Sequence, residues 1–190
     1  MFRTVRAIAG SLVVVGLLAG CGEVVGHGTP PSLPDLLIPL DGQPITEATG
    51  DVNLADYLAK FATAPEPEAA EFTGQGFVGG WVVSTLDSSF SRRVFLLQFR
   101  DTAAARSVYG WYQDFLTPAD RTFDTGVTRD NFGKVADYQD QQGRSGTRAQ
   151  VLYPAGPFLV MVSVIVASTE NDTARTEAQR LATAQSHRLP

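Results

Sequence analysis

Few residues in this chain could carry covalent or acid–base chemistry. Its 190 residues include one cysteine, Cys21, two histidines, His27 and His187, and two lysines, Lys60 and Lys134. A Ser-His-Asp or Cys-His arrangement needs an imidazole within hydrogen-bond reach of its nucleophile. Here His27 stands among glycines and prolines and His187 close to the final residue. The segment Gly143 to Thr147 is no nucleophile elbow, because Gly146 follows Ser145 directly and the segment falls between two strand patterns. Neither lysine stands three residues after a serine, and Gly133-Lys134 lacks the earlier glycine of a phosphate-binding loop. His27 has no flanking ligands that would make a metal site. These residue types predict a non-catalytic protein with no metal and no cofactor. One catalytic alternative stays open, a hydrolase using a carboxylate pair, because such pairs meet through folding and not through sequence spacing. Asp137 and Asp140, on an expected hairpin edge, are its candidates.

The position of Cys21 concerns address instead. Met1 to Arg6 carries two positive charges, Ala7 to Leu18 is apolar or small, and Ala19 and Gly20 are small, which is the three-part build of an export signal. The apolar run is too short to span a bilayer, which takes about 20 residues. Leu18-Ala19-Gly20-Cys21 resembles the bacterial lipoprotein box. That resemblance implies cleavage before Cys21, a diacylglyceryl thioether on its sulfur, and a protein held by lipid on the extracytoplasmic side of the cell membrane. The other reading is a secretory signal with an incidental cysteine; charge, apolar run, small residues and cysteine in that order favour the box. A single acyl chain holds a protein marginally and two hold it firmly. The expected organisation is a signal peptide over 1–20, a lipidated Cys21 with a flexible tether over 21–34, and one domain over 35–190.

Charge narrows the partners. The chain has 15 basic and 20 acidic residues, and it becomes more acidic once Arg3 and Arg6 leave with the signal. Such a surface repels nucleic acid. The membrane, through the lipid on Cys21, and an envelope protein or a lipid-like ligand are the expected partners.

The elements that must position any site follow from periodicity. Asn53 to Ala62 has Leu54, Tyr57, Leu58 and Phe61 at helical spacing behind a capping Asn53 or Asp51. Ala64 to Glu71, with two prolines and three glutamates, reads as a solvated loop. Phe77 to Leu86 and Arg92 to Arg100 read as a hairpin closed by Asp87 to Ser91, followed by a helix that Asp101 can cap. Residues 119 to 131 read as a long connection. Phe132 to Gln139 and Gly146 to Tyr153 read as a second hairpin, Pro154 to Pro157 as a turn, Phe158 to Ala167 as a strand, and Asn171 to Arg188 as a helix. The expected fold class is α+β: an antiparallel sheet of about five strands, in ββα then βββα order, with two helices packed on one face.

Turn positions predict which side chains share a face. Setting Pro154 opposite Pro157 puts Tyr153, Val151, Ala149, Phe158, Val160, Val162 and Val164 on one face, with Leu152, Gln150, Arg148, Leu159, Met161 and Ser163 on the other. Setting Leu86 opposite Arg92 groups Trp81 and Val83 with Phe95, Leu97 and Phe99, and Val82 and Ser84 with Leu96 and Gln98. Val82, Leu96, Met161 and Ile165 would then form an apolar binding face with Arg148 and Gln150 on its rim, Arg148 being able to orient an anionic headgroup. The alternative is that Leu54, Tyr57, Leu58 and Phe61 pack there and close a second layer of core.

As a whole the chain resembles the small uncharacterised lipoproteins of actinobacterial cell envelopes. The resemblance rests on the box at 18–21, on "VFLLQFRDTAAARSVY" where a strand passes into an alanine-rich helix, and on "GPFLVMVSVIVAS" followed by a helix containing "AQRLATAQ". It implies an envelope location and an α+β fold, and it brings no catalytic residue with it. The anchor reading has a direct test. Cys21→Ser removes the thiolate that is alkylated, so cell fractionation should find the variant released from the membrane or uncut; a variant that is processed and membrane-bound like the wild type would refute the reading.

Overall fold

The most apolar run of the chain, Phe158–Val166, organises the fold. In the computed structural model, which describes residues 32–116, 121–127, 130–139, 145–167 and 171–189, this run is a strand with neighbours on both sides and cover on both faces. The expected signal peptide, Cys21, His27, most of the tether and Asp140 lie outside the described residues. Among the described residues one antiparallel sheet has eight strands. They are β1 (Gln43–Pro44), β2 (Gly50–Val52), β3 (Phe77–Leu86), β4 (Phe90–Phe99), β5 (Arg121–Phe123), β6 (Phe132–Gln139), β7 (Ser145–Ala155) and β8 (Phe158–Val166). Four α-helices accompany them: α1 (Leu54–Lys60), α2 (Pro65–Gly74), α3 (Thr102–Leu116) and α4 (Asn171–Ser186). The order across the sheet is β1-β3-β4-β8-β7-β6-β5, with β2 also pairing with β3.

The α+β class and the antiparallel pairing stand, but the expectation of about five strands with two helices on one face is overturned. The three additional strands are two or three residues long and lie at the sheet edges, where a few ladder hydrogen bonds and no alternating pattern define them. The helix α2 occupies the stretch expected to be a loop. Pro65 and Pro67 fall within its first turn, where backbone N–H groups have no intrahelical acceptor, so neither breaks it. Nor do the two long helices share a face. Ala174, Ala178, Leu181 and Ala182 of α4 pack with Val94, Leu96, Val151, Tyr153, Val160, Val162 and Val164. Ala104, Ala105, Val108 and Tyr112 of α3 pack with Phe95, Leu97, Leu152, Leu159 and Met161 on the opposite side. Both parities of β8 are apolar, so each face needs its own cover.

Two turns account for the register. The β7–β8 turn is the two-residue loop Gly156-Pro157, with Gly156 at φ +56°, a value the first position of a type II′ hairpin requires. It pairs Ala155 with Phe158 and Tyr153 with Val160. That is two residues from the pairing set by the prolines, a shift that leaves every side chain on its expected face. In the β3–β4 turn, Asp87 Oδ1 accepts from the N–H groups of Ser89 and Phe90 at 2.7 and 2.8 Å, an Asx-type turn that tightens the loop. Leu86 therefore pairs with Ser91 and Trp81 with Leu96. This one-residue slip moves Leu96 to the α4 face and puts Val82 with Phe95.

The α4 face is tied to the rest of the chain by polar contacts. Gln185, fully buried, accepts from the Ile38 N–H at 3.0 Å and donates to the Leu36 carbonyl at 2.8 Å, docking the segment that begins at Leu33. Arg92 bridges Asp87 in the hairpin turn to Glu177 on α4. Hydrogen bonds from Arg92 and from the Ser89 and Phe90 N–H groups pull the Asp87 carboxyl down to about 2, and those from Arg180 and Arg92 lower Glu177. A depressed carboxylate stabilises the fold above its unfolded pKa, about 4, and that contribution disappears as pH falls through the folded value. Stability should therefore drop between about pH 4 and about pH 2. Asp87→Asn should be less stable than the wild type at neutral pH and less pH-dependent in that window, as followed by urea midpoints; identical pH profiles would refute this role for the turn.

Candidate functional site

The α1–α3 side of the sheet changes from dry to polar along its strands. Across β4, β8, β7 and β6 the register aligns Phe95, Met161, Leu152 and Phe132 in one row. The next row is Arg93, Ser163, Gln150 and Lys134, and the one beyond it Ser91, Ile165, Arg148 and Ala136. Helices α1 to α3 cover the apolar row, and Tyr57, Phe61 and Phe95 meet there as ring contacts with centroids 5.0 to 6.3 Å apart. Beyond it the cover stops. A cleft of about 450 Å³ opens over the polar rows, walled by Lys60 to Thr63, Glu68 and Tyr112 on one side and Tyr138 on the other.

The wall is held by a buried polar chain. Glu68, 1% exposed, accepts at Oε1 from the N–H groups of Thr63 and Ala64 at 2.7 and 2.8 Å. Its Oε2 accepts from the Tyr112 hydroxyl at 2.6 Å, and the Tyr57 and Tyr112 hydroxyls lie 2.8 Å apart. Since Tyr112 gives its proton to Glu68, Tyr57 must donate to Tyr112. Burial, reinforced by the Glu68 charge, pushes both phenols well above their usual range, so they remain donors. Phe72 stacks on Tyr57 at 5.0 Å and completes the α1–α2 contact.

The floor carries two arginines. Arg93 donates from Nε to Ser84 Oγ at 3.1 Å, and its guanidinium lies over Phe61 at 4.9 Å and Phe95 at 5.9 Å. Arg148 lies over the Tyr138 ring at 4.7 Å, and its buried Nε has no hydrogen-bond partner. Burial first, and the charge of Arg148 second, push the Arg93 guanidinium below its usual value. Among the described residues neither has a carboxylate within salt-bridge distance, whereas the adjacent Arg92, on the other parity, holds two. Among the described residues three basic side chains, Lys60, Arg93 and Arg148, and one carboxylate, Glu68, line the cleft.

Of the residues expected from the sequence, Met161, Ile165, Arg148 and Gln150 line this cleft. Val82, 2% exposed, is buried beneath α1 with Val52 and Tyr57, and Leu96 lies in the α4 layer. The expected apolar patch is thus closed over its first half by Tyr57 and its neighbours, and open over its polar half. The sequence reading places Ser163 on this face and Phe61 over it, as found, but gives no place in the site to Arg93 or Tyr138. The signal for Arg93 was the pair Arg92-Arg93 inside an apolar strand, which must send one guanidinium to each face. Asp137 pairs with Thr147 and is exposed on the α4 face, away from the cleft. Among the described residues no three His, Cys, Asp or Glu side chains converge as metal ligands, and no helix is long and apolar enough to cross a membrane.

Neither a family model nor a curated protein matches the chain. Among solved structures it is similar to the extracellular domain of PknH from Mycobacterium tuberculosis, with 12% sequence identity, a TM-score of 0.44, and coverage of 78% of this chain and 80% of that one.

The wall network can be ranked by mutation. Tyr112→Phe removes the donor to Glu68 and the acceptor for Tyr57 and should destabilise by about 2 kcal/mol, while Tyr57→Phe removes one donor and should lose about 1 kcal/mol. Urea midpoints measure both, and the reverse order would contradict the proton arrangement given for the chain.

Proposed function

We propose that this protein is a lipid-anchored, extracytoplasmic binding protein that works without catalysis, holding a small polar ligand in the cleft over β4, β8 and β7. The observation that carries this reading is the pair of guanidiniums in the cleft, Arg93 and Arg148, with no carboxylate of the described residues on either. Concave sites of roughly 300 to 1,000 Å³ suit small molecules, and this cleft is about 450 Å³. Its concavity argues against a flat protein partner, and its serine, glutamine and arginine floor against an acyl chain. The envelope location rests on the N-terminal sequence: charge, apolar run, small residues and Cys21 in lipoprotein-box order.

A carboxylate-pair hydrolase has less support. Among the described residues Glu68 is the one carboxylate lining the cleft, and its oxygens already accept from Thr63, Ala64 and Tyr112.

Ile165 lines the cleft and is partly exposed, so a larger side chain there fills the space without entering the core. Native mass spectrometry of the lipidated protein taken from its own membranes should show a small-molecule adduct beyond the lipid on Cys21. The same preparation of Ile165→Trp should show the lipid alone. Identical spectra for the two proteins would overturn the cleft as the binding site.

A further inference from the structure

The ligand's chemistry can be read from what the two arginines lack. A guanidinium withdrawn from water is stabilised by a carboxylate or by acceptors for its N–H groups, and leaving it without them is strongly unfavourable. The chain provides such partners elsewhere: Arg92, 6% exposed, meets Asp87 and Glu177. In the cleft it provides rings. The Arg93 guanidinium carbon lies over the Phe61 and Phe95 rings, and that of Arg148 over the Tyr138 ring. A ring attracts the charge of a guanidinium without accepting a conventional hydrogen bond, which leaves N–H donors for a planar or tetrahedral anion. Nε of Arg148 has no partner at all, and Arg93 has only the neutral Ser84 hydroxyl.

The two arginines also repel one another. They stand on β4 and β7 with β8 between them, offset by one row, which places their backbones about 12 Å apart at ordinary strand spacing and rise. Ser163 and Gln150 lie between them on the same face. Among the described residues nothing on the floor neutralises this pair, although the chain as a whole carries a formal charge of −5. An anion bound between the two would reverse the repulsion and supply the missing acceptors together.

We infer that the cleft is a receptor for an oxyanion, a phosphate or carboxylate group of a small polar molecule, gripped between the edges of Arg93 and Arg148 with Ser163 and Gln150 beneath it. This rests on the cleft being the binding site, and the experiment separates the two statements. Met161 lines the cleft and is one of two methionines, the other being Met1 in the export segment. Its ¹³C-methyl signal in the processed, lipidated protein is therefore a single reporter of occupancy.

The probes are inorganic phosphate, citrate and, as a neutral polyol, glucose, each in chloride buffers of matched ionic strength. Phosphate or citrate should shift the Met161 methyl and raise Tm, and the one that binds tells a phosphoryl from a carboxylate ligand. Arg93→Gln and Arg148→Gln should each weaken that binding by about tenfold or more, the effect of losing one charged hydrogen-bonding partner. In chloride alone Arg148→Gln should melt higher than the wild type, because it removes the repulsion and the orphaned Nε. Glucose shifting the methyl while neither anion does would overturn the oxyanion and keep the cleft. Silence with all three probes would overturn both. Anion binding that persists unchanged in both variants would place the anion elsewhere and also overturn the inference.

Discussion

The fold depends on β8 being apolar on both faces. From Phe158 to Val162 every residue is buried, and each Val, Leu or Met side chain withdrawn from water contributes about 1.5–3 kcal/mol. A strand of this kind is stable only in the middle of a sheet and between two layers. It takes β4 on one side and β7 on the other, α4 with the segment from Leu33 above one face, and α1 to α3 above the other. The short strands at the edges and the packed N-terminal segment then extend a core whose centre is set by nine residues.

The same strand determines where the cover ends. On the α1–α3 side its residues read Leu159, Met161, Ser163 and Ile165, and the register carries that change of polarity across to Arg93 on β4 and Gln150 and Arg148 on β7. Helices with apolar faces pack on the first two rows and have no reason to extend over the others. The cleft is therefore a consequence of sheet register and helix length together. Its wall is rigid for a separate reason: Glu68 closes the N-terminal turn of α2 and reaches Tyr112 on α3, so α1, α2 and α3 are joined by one buried hydrogen-bonded chain.

Neighbouring residues of identical type meet different fates here. Arg92 and Arg93 differ by one position, hence by one face of the sheet. On the α4 face Arg92 finds carboxylates from a turn and a helix, and it becomes part of the scaffold. On the other face Arg93 finds aromatic rings and a serine, and it stays chemically open. A reading by composition would treat the two alike.

Local pattern settled much of this molecule. Helical spacing in 54–61, the helices after Asp101 and over 171–188, the β-rich runs at 77–99 and 132–166, the antiparallel pairing and the α+β class are all written in short-range pattern, which local physics enforces. Face membership in the β7–β8 hairpin was legible as well, because an error of two residues in register leaves parity unchanged. In β3–β4 the Asp87 side chain tightened the turn by one residue, so Leu96 was assigned to the wrong face. The helix α2 was hidden by prolines whose harm depends on their place in the first turn. Only the tertiary structure decided that α3 and α4 lie on opposite faces, that Val82 is covered, and that Arg93 joins Arg148 over a half-open sheet. The physical reason is that each of these depends on which surfaces are left uncovered after long-range packing, and no local pattern of residues records what will come to lie on top of it.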